Sequence, residues 1–339
     1  MSNAHLTEAD VRRLLEPAHL CAAIESAFRD RYPSISLPPR THVELAHGIF
    51  LAMSCYDRAA NTLGMKLVLV RDQAQTHQAQ THQAQTHYEG QRRDAADSGA
   101  ALGEGRVQAT YLLLNPETAQ PSLTIAANYL TDLRTAAASA VATKFLARPD
   151  ATTLGIFGTG RLARAHLSVL PLACRFQRVL VCGRNPSRSA EFIQNVSAEF
   201  PGLTVTAADA RTCAAQSDVL CTCTSNHTPL FDGRDLRPGT HLNLVGAFRA
   251  QTREVDTLTI QRSHVVVDTY VAALSEVGEL LIPMQEGAIT RDHIAADLHE
   301  LVSGKKQGRR SPKEITVFKS VGCALEDLVA AELLLARSV

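Results

Sequence analysis

The stretch LGIFGTGRLA, residues 154–163, constrains the fold of this chain more strongly than any other. An apolar run ends at Gly158, and Gly160 and Ala163 complete a G-x-G-x-x-A pattern that opens a helix-forming segment. The first glycine allows a tight turn, the second lets backbone approach a pyrophosphate, and the third small residue lets the helix pack on the strand. Because the first turn of such a helix faces the phosphates, the stretch predicts a dinucleotide-binding turn rather than a glycine turn without a ligand.

Short apolar runs alternate with helical segments through the second half of the chain. The runs are TTLGIFGTG, RVLVCGR, LTVTA, SDVLCTCTS, HLNLVGAF and SHVVVDT. Segments with a helical period, such as RLARAHLSVLPL and SRSAEFIQNVSAEF, separate them. Alternation of this kind is typical of a parallel, doubly wound sheet. The predicted fold class is therefore α/β, with a Rossmann-type domain over residues 132–315.

The first third has a different pattern, with helices followed by strands. Thr7 and Asp10 form a capping-box pattern at the start of a helix. Strands are predicted in THVELAHGIFLAMSCYD, LGMKLVLVR and RVQATYLLLNPETAQPSLTIAA, the last as a hairpin around Asn115. A long alanine-rich helix is then expected from Asp132 to Arg148. This part predicts an α+β domain with a largely antiparallel sheet.

Residues 72–105 interrupt that pattern, because they are rich in Gln, Ala, Thr, Asp and Gly and have no apolar period. They contain QAQTH three times in succession, from Gln73 to His87. A spacing of five does not align histidines on one face of a helix, and the repeat holds no carboxylate or cysteine to complete a metal site. We therefore expect a flexible loop insertion and no metal.

Composition excludes several classes of protein. The 339 residues are 45% hydrophobic and 20% charged, which is globular and long enough for two domains. Lys plus Arg and Asp plus Glu both number 34, so no net charge favours nucleic acid or an anionic membrane. The eight cysteines form no C-x-x-C pair and are expected to be buried thiols. With no signal peptide and no membrane-length apolar run, we expect a cytoplasmic protein.

The segment VLVCGRNPSR determines which nicotinamide nucleotide the sequence favours. An acidic residue at the end of the second strand typically binds the ribose hydroxyls of NAD, whereas an arginine accommodates the 2′-phosphate of NADP. This segment has no acid and contains Arg184 and Arg188. It therefore favours NADPH as the cofactor, with NADH remaining possible.

Several separated motifs resemble the ornithine cyclodeaminase/mu-crystallin family. They are LPPR, LGMKLV, NYLTDLRTAAASAVATKFLARPDATTLGIFGTG, GEL and GRRSPKEITVFKSVGCALEDLVAA, which together cover nearly the whole chain. The resemblance implies a discontinuous first domain, residues 1–131 with 316–339, that binds substrate and forms a homodimer. The Rossmann domain would be inserted into it.

The resemblance also implies a substrate site built from Arg40, Lys66 and Arg134. An arginine fork can bind a carboxylate with two hydrogen bonds, and a lysine adds a point charge. Lys66 lies inside an apolar strand, where a charged group is costly without a partner. We expect these cations to hold the α-carboxylate of an amino or imino acid, with Lys66 as the catalytic residue.

The expected cofactor contacts follow the glycine turn, the carboxyl ends of the strands, and motifs of the family. They are Thr135, Gly158, Thr159, Gly160, Arg161, Leu162, Ala163, Arg184, Arg188, Thr224, Ser225, Val245, Gly246, Lys319 and Ser320.

One departure from the family decides between its activities. Phe248, in NLVGAFRAQTREVD, stands where ornithine cyclodeaminases carry an acid for the distal amine. A phenylalanine fits a cyclic imine instead, so we predict NAD(P)H-dependent reduction of 1-pyrroline-2-carboxylate or 1-piperideine-2-carboxylate to L-proline or L-pipecolate. The alternatives are ornithine cyclodeaminase, an alanine-type dehydrogenase, and a non-catalytic, crystallin-like NADPH-binding protein.

Deleting Gln73–His87 is expected to leave the fold and turnover nearly intact, because the closure entropy of a surface loop changes only logarithmically with its length. Thermal unfolding and imine-reduction rates of the deletion variant check this. Loss of activity in a folded deletion variant would show that the repeat has a role in the reaction.

Overall fold

A computed structural model describes residues 4–71 and 107–338 and contains two β-sheets with helices packed on them. One sheet is largely antiparallel, and the other is entirely parallel. This confirms the α/β class and the second, α+β part. The loop predicted over residues 72–105, with the QAQTH repeat, lies outside the described residues.

The first sheet has seven strands in the order β1-β7-β6-β5-β4-β2, with β3 paired to β4. The strands are β1 (Ala4–Leu6), β2 (Ile35–Ser36), β3 (Thr41–Leu45), β4 (Gly48–Asp57), β5 (Thr62–Arg71), β6 (Val107–Leu114) and β7 (Pro121–Ala126). The predicted hairpin around Asn115 is confirmed, because β6 and β7 pair antiparallel. Along β5 the side chains alternate, and Gly64, Lys66, Val68 and Val70 are all buried.

Four helices pack on this part of the chain. They are α1 (Glu8–Leu14), α2 (Pro17–Ser26), α3 (Asn128–Leu146) and α11 (Ala324–Ser338). The capping box at Thr7 and Asp10 is confirmed by reciprocal hydrogen bonds of 3.1 and 3.3 Å.

Helix α3 begins at Asn128, four residues earlier than the sequence predicted. The Glu8 carboxylate accepts hydrogen bonds from the backbone N–H groups of Asn128 and Tyr129, at 2.8 and 2.9 Å. These are donors that a helix N-terminus leaves without an intrahelical partner. The cap comes from an element more than a hundred residues away in the chain, so the local sequence around Asn128 does not reveal it.

The second sheet has eight strands in the order β10-β9-β8-β11-β12-β15-β13-β14, all parallel. The strands are β8 (Thr153–Phe157), β9 (Arg178–Cys182), β10 (Thr204–Ala207), β11 (Val219–Thr222), β12 (His241–Leu244), β13 (Ser263–Val267), β14 (Ile294–Asp297) and β15 (Ile315–Lys319). The helices among them are α4 (Arg161–Val169), α5 (Pro186–Glu199), α6 (Ala210–Gln216), α7 (Thr257–Gln261), α8 (Tyr270–Glu276), α9 (Gly278–Gln285) and α10 (Leu298–Val302). From β8 the chain runs outward through β9 and β10 and returns on the other side as β11. Such a reversal opens a crevice at the carboxyl ends of the strands, where ligands bind.

The C-terminal part of the chain returns to the first sheet at α11, not at residue 316 as the sequence predicted. The sequence assigned residues 316–339 to the first domain, but β15 pairs with β12 and β13 inside the parallel sheet. The strand is buried along its whole length, as central parallel strands are. Only α11 returns, packing against β4, β5, β6 and α3. The rest of the predicted division into domains stays a prediction.

The eight cysteines all carry free thiols. Among the described helices, none combines the length and the apolar character needed to cross a membrane.

Candidate active site

The turn after β8 has the geometry that the glycine pattern predicted. Gly158 has a φ of +106°, and a Cβ added to it would lie 2.6 Å from the carbonyl oxygen of Cys223. Its N–H donates to the carbonyl oxygen of Cys182 at 2.9 Å. Position 158 therefore requires glycine both for its backbone conformation and for the approach of the neighbouring strand end.

Gly160 is different, because a Cβ added there would meet no described atom within 4 Å. It is the N-cap of α4, and no side chain caps this helix. The N–H groups of the first turn therefore face open space, which suits a pyrophosphate. Ala163, fully buried, lets the helix sit close to the sheet. The turn fits the diphosphate of a dinucleotide.

The adenosine side of the crevice is basic. Arg184 and Arg188 follow β9 and are exposed, and neither side chain has an ion-pair partner among the described residues. Beside them a cleft of about 490 Å³ lies between the ends of β9 and β10, with Gly183 and Ala208 in its wall. No acidic residue stands at the end of β9.

Other predicted cofactor residues near the turn have partners within the protein. Arg161 Nε donates to Asp132 Oδ2 at 2.8 Å, which joins α4 to α3. The Thr135 hydroxyl donates to the carbonyl oxygen of Thr131 at 2.8 Å. The Cγ2 of Thr159 lies beside Gly183, 2.9 Å from where a Cβ of that glycine would be. Leu162 follows Arg161 in the first turn of α4 and is half-buried.

Glu254 links the carboxyl ends of β11 and β12. Its buried carboxylate accepts hydrogen bonds from the Thr224 N–H and hydroxyl at 2.9 and 2.7 Å. It also accepts from the Thr222 hydroxyl at 2.7 Å and the Gly246 N–H at 2.8 Å. Burial raises the pKa of Glu254. The predicted residues Thr224, Ser225, Val245 and Gly246 thus lie on two loops, one after each strand, that Glu254 holds together, a link that the sequence did not reveal.

Lys319 and Ser320 lie under the same edge and are almost fully buried. Lys319 Nζ donates to the carbonyl oxygen of Ala247 at 2.7 Å and lies 3.1 Å from Glu279 Oε2. The Ser320 hydroxyl donates to Asp268 Oδ2 at 3.0 Å. The sequence assigned both residues to the cofactor, but their side chains are turned into the protein.

Lys66 on β5 is 1% exposed, and its Nζ donates to Asp327 Oδ1 on α11 at 2.8 Å. Burial and the nearby Arg134 guanidinium lower the pKa of Lys66 to about 8, although Asp327 favours the charged form. The lysine is therefore mostly an ammonium at neutral pH, with a proton that it releases more readily than an exposed lysine would.

Arg134 on α3 lies beside the same acids. Its Nη1 donates to Glu326 Oε2 at 2.6 Å, and its Nε lies 3.0 Å from Asp327 Oδ1. All four residues are buried. We call Lys66, Arg134, Glu326 and Asp327 the buried ion cluster.

Arg40 reaches the cluster through the loop after β15. Its Nη2 donates to the carbonyl oxygens of Val321 and Gly322 at 3.0 and 3.2 Å, and its Nε lies 2.9 Å from Glu276 Oε2. A Cβ added to Gly322 would lie 2.5 Å from Arg134 Nη1. The structure therefore brings the three predicted cations to one place. A small cavity of about 80 Å³ lies there, lined in part by Arg40, Met53, Glu276, Gly322 and Cys323.

Phe248 lies in the loop that follows β12 and begins at Val245. Its neighbour Ala247 accepts a hydrogen bond from Lys319 at its carbonyl oxygen. Phe248 is half-buried and packs against the core, and the Arg249 guanidinium carbon lies 5.9 Å from its ring centre. The side chain presents no acid at the position where the family's cyclodeaminases have one.

The acids were the part of the site that sequence reasoning missed. Glu326 and Asp327 lie in ALEDLVAA, and every residue of this segment is buried. Consecutive acids inside an apolar helix are as costly as a lysine inside an apolar strand. The same cost therefore marks Glu326 and Asp327, like Lys66, as residues that need buried partners of opposite charge.

A sequence profile of the ornithine cyclodeaminase/mu-crystallin family matches residues 94–338. Delta(1)-pyrroline-2-carboxylate reductase of Colwellia psychrerythraea (strain 34H) is 39% identical to this chain over 225 residues, 65% of this chain and 70% of that protein. These matches confirm the family that the motifs resembled.

Solved structures agree over the whole length. Delta(1)-pyrroline-2-carboxylate reductase of Thermococcus litoralis, in complex with NADH and L-proline, has a TM-score of 0.86 at 32% identity. The match covers 99% of this chain and 97% of that one. An archaeal alanine dehydrogenase dimer with bound NAD has a TM-score of 0.84 at 26% identity, covering 100% of this chain and 98% of that one.

The two glycines are expected to respond differently to alanine. Gly160→Ala should keep the melting temperature nearly unchanged and weaken binding of a nicotinamide nucleotide about tenfold or more, because the methyl group occupies the space before the helix. Gly158→Ala should lower the melting temperature as well, since a positive φ and a carbonyl contact oppose any side chain. Calorimetry and cofactor titration of both variants check this. Equal cofactor affinity in Gly160→Ala and wild type would exclude the assigned pyrophosphate position.

Proposed function

The chain belongs to the ornithine cyclodeaminase/mu-crystallin family, and we propose that it reduces the C=N bond of Δ1-pyrroline-2-carboxylate to give L-proline. The reductant is a reduced nicotinamide nucleotide. Relatives that carry the name of this activity match the chain both in sequence and along its full structure. The six-membered imine, 1-piperideine-2-carboxylate, is the second substrate that the site would accept.

The observation that carries this proposal is the position of Lys66 beside the two arginines. Arg40 and Arg134 suit the substrate carboxylate, and the lysine ammonium next to them suits the ring nitrogen. The bound nicotinamide supplies a hydride to the ring carbon. The nitrogen must gain one proton for the C=N bond to become a secondary amine, and Lys66 Nζ holds such a proton. Asp327 orients this ammonium and keeps it charged.

Phe248 favours this reaction over deamination of ornithine. A cyclodeaminase must hold a distal ammonium while the ring closes, and an aromatic ring at this place offers no carboxylate to pair with it. A cyclic imine has no such group, and its apolar methylene carbons suit a phenylalanine.

We also propose NADPH as the preferred cofactor. Support comes from Arg184 and Arg188, which stand exposed at the end of β9 where a 2′-phosphate would lie, and from the lack of an acid there. The Thermococcus litoralis enzyme is in complex with NADH. The first assay should therefore measure imine reduction with NADPH and with NADH.

A homodimer is a further part of the proposal. The face of the first sheet opposite Lys66 is apolar and half-buried, with Met65 on β5 opposite Leu112 on β6. On β3, Val43 and Leu45 are 44% and 46% exposed. Contiguous apolar surface of this kind is typical of association sites.

Purified protein with NADPH and Δ1-pyrroline-2-carboxylate is expected to oxidise NADPH and form L-proline in equal amounts. NADH should give the same product with a higher KM, because Arg184 and Arg188 would lack a phosphate to bind. L-Ornithine with NAD⁺ or NADP⁺ should release no ammonia. If ammonia appears from ornithine and the imine is not consumed, the proposed reaction is wrong.

Removing the Lys66 ammonium should slow imine reduction and also lower the melting temperature, because Asp327 loses one of its two cationic partners. Lys66→Met is expected to lower kcat by about 10²–10⁴-fold, the usual contribution of a positioned proton donor. The exposed Lys144→Met, which loses a surface pair with Glu25 and a contact with the Phe145 ring, is the matched control.

The pH profile gives an independent check on the same residue. Because the ammonium is the active form, the rate should fall as pH rises through about 8. Asp327→Asn should move that fall to lower pH, since Asp327 raises the pKa of Lys66. A profile unchanged by Asp327→Asn would argue against Lys66 as the donor.

A further inference from the structure

The carboxylate-binding cations are outnumbered by acids. Arg40, Lys66 and Arg134 supply three positive charges. The acids that contact these cations, or the loop between them, are Glu276, Glu326, Asp327 and Asp268. With every group ionised, the site has one net negative charge before any ligand arrives.

A substrate carboxylate would add a second negative charge to this buried region. Charges interact strongly where water is excluded, and an uncompensated buried charge is destabilising. Three cations alone would attract the substrate, but three cations already paired with four acids would not. Neutralising one acid by a proton removes the excess.

Two of the acids have several partners each. Asp268 accepts four hydrogen bonds, from the N–H groups of Thr269, Val321 and Gly322 and from the Ser320 hydroxyl. Hydrogen bonds of this kind favour a carboxylate. Asp327 contacts both Lys66 and Arg134, and two cations stabilise its negative charge. Glu276, nearer the rim, is paired with Arg40.

Glu326 is fully buried and has Arg134 as its single ion-pair partner among the described residues. Its Oε2 has one partner, Arg134 Nη1, and its Oε1 has no hydrogen-bond partner among the described residues although it is fully buried. An unpaired buried carboxylate oxygen is costly when ionised and much less so when protonated.

The charged groups around Glu326 act on its pKa in opposite directions. Arg134 on α3 and, more distantly, Lys66 on β5 favour its charge. Asp268, in the loop after β13, and Asp327, on the same helix, oppose it. The Cys323 thiol also lies near. Burial dominates and raises the pKa of Glu326 to about 7.

We propose that Glu326 takes up a proton when a substrate carboxylate binds at Arg134, and that this proton offsets the added negative charge. The inference rests on the proposed function only in placing a carboxylate next to Arg134. Glu326 is thus a positioning residue that couples substrate binding to pH. Its neutral form releases Arg134 Nη1 from an ion pair so that it can bind the substrate, while Asp327 continues to hold Lys66 and Arg134 Nε.

The test uses pyrrole-2-carboxylate, a planar five-membered ring acid whose nitrogen does not take up a proton. It is titrated by calorimetry into full-length protein saturated with oxidised nicotinamide nucleotide, in buffers of different ionisation enthalpy. Wild type should take up a proton on binding near pH 7.5, and its Kd should rise about tenfold between pH 6 and pH 8. Glu326→Gln, which mimics the neutral acid, should take up little or none, and its Kd should change about twofold or less over that range.

Lys66→Arg is the matched control, because arginine keeps the positive charge and does not titrate here. It should retain the proton uptake that Glu326→Gln loses. Uptake that disappears in Lys66→Arg and persists in Glu326→Gln would assign the proton to Lys66 and overturn the inference. Wild-type binding without proton uptake, or no binding at all, would also overturn the inference. Both results come from the wild-type protein and so do not depend on whether a variant folds.

The proposed function can fail separately. If pyrrole-2-carboxylate binds with proton uptake at Glu326 but Δ1-pyrroline-2-carboxylate is not reduced, the inference stands and the reaction does not. If the imine is reduced and the ligand binds without a proton, the reaction stands and the inference does not.

Discussion

The buried ion cluster is the interaction on which the rest of the site depends. Lys66, Arg134, Glu326 and Asp327 come from β5, α3 and α11, and each is removed from water. A buried ion pair contributes little net stability, but removing one partner leaves an uncompensated charge that costs several kcal/mol, on the order of 3–5. The cluster therefore fixes how these three elements meet. It keeps side by side the lysine proposed as proton donor and an arginine proposed to bind the substrate carboxylate.

One loop joins this cluster to the parallel sheet. Asp268 holds the N–H groups of Val321 and Gly322 after β15, and Arg40 binds the carbonyl oxygens of the same two residues. The loop then enters α11, which carries the acids of the cluster. The carboxyl edge of the parallel sheet and the proposed substrate cations are thus positioned by the same few backbone groups. A nicotinamide at the edge and a ring acid at the cations would lie next to each other for this reason.

Sequence patterns predicted the features that arise from local structure. The glycine turn, the β6–β7 hairpin and the capping box at Thr7 depend on neighbouring residues, and all three were identified. Lys66 was identified from the resemblance of LGMKLV to the family, and the cost of a charge inside an apolar strand supported that choice. The features that were missed depend on distant parts of the chain: the Glu8 cap on α3, the place of β15 inside the parallel sheet, and the acids of α11 that neutralise the cations. No local sequence pattern specifies which buried cation pairs with which buried acid.

The most direct test is a crystal structure of the protein with an oxidised nicotinamide nucleotide and L-proline. The account predicts that the proline carboxylate lies within hydrogen-bond distance of Arg134 and Arg40, with the ring nitrogen facing Lys66 Nζ. It also predicts that Asp327 still holds the lysine. A proline whose carboxylate contacts neither arginine, or whose nitrogen points away from Lys66, would contradict the central role given to the buried ion cluster.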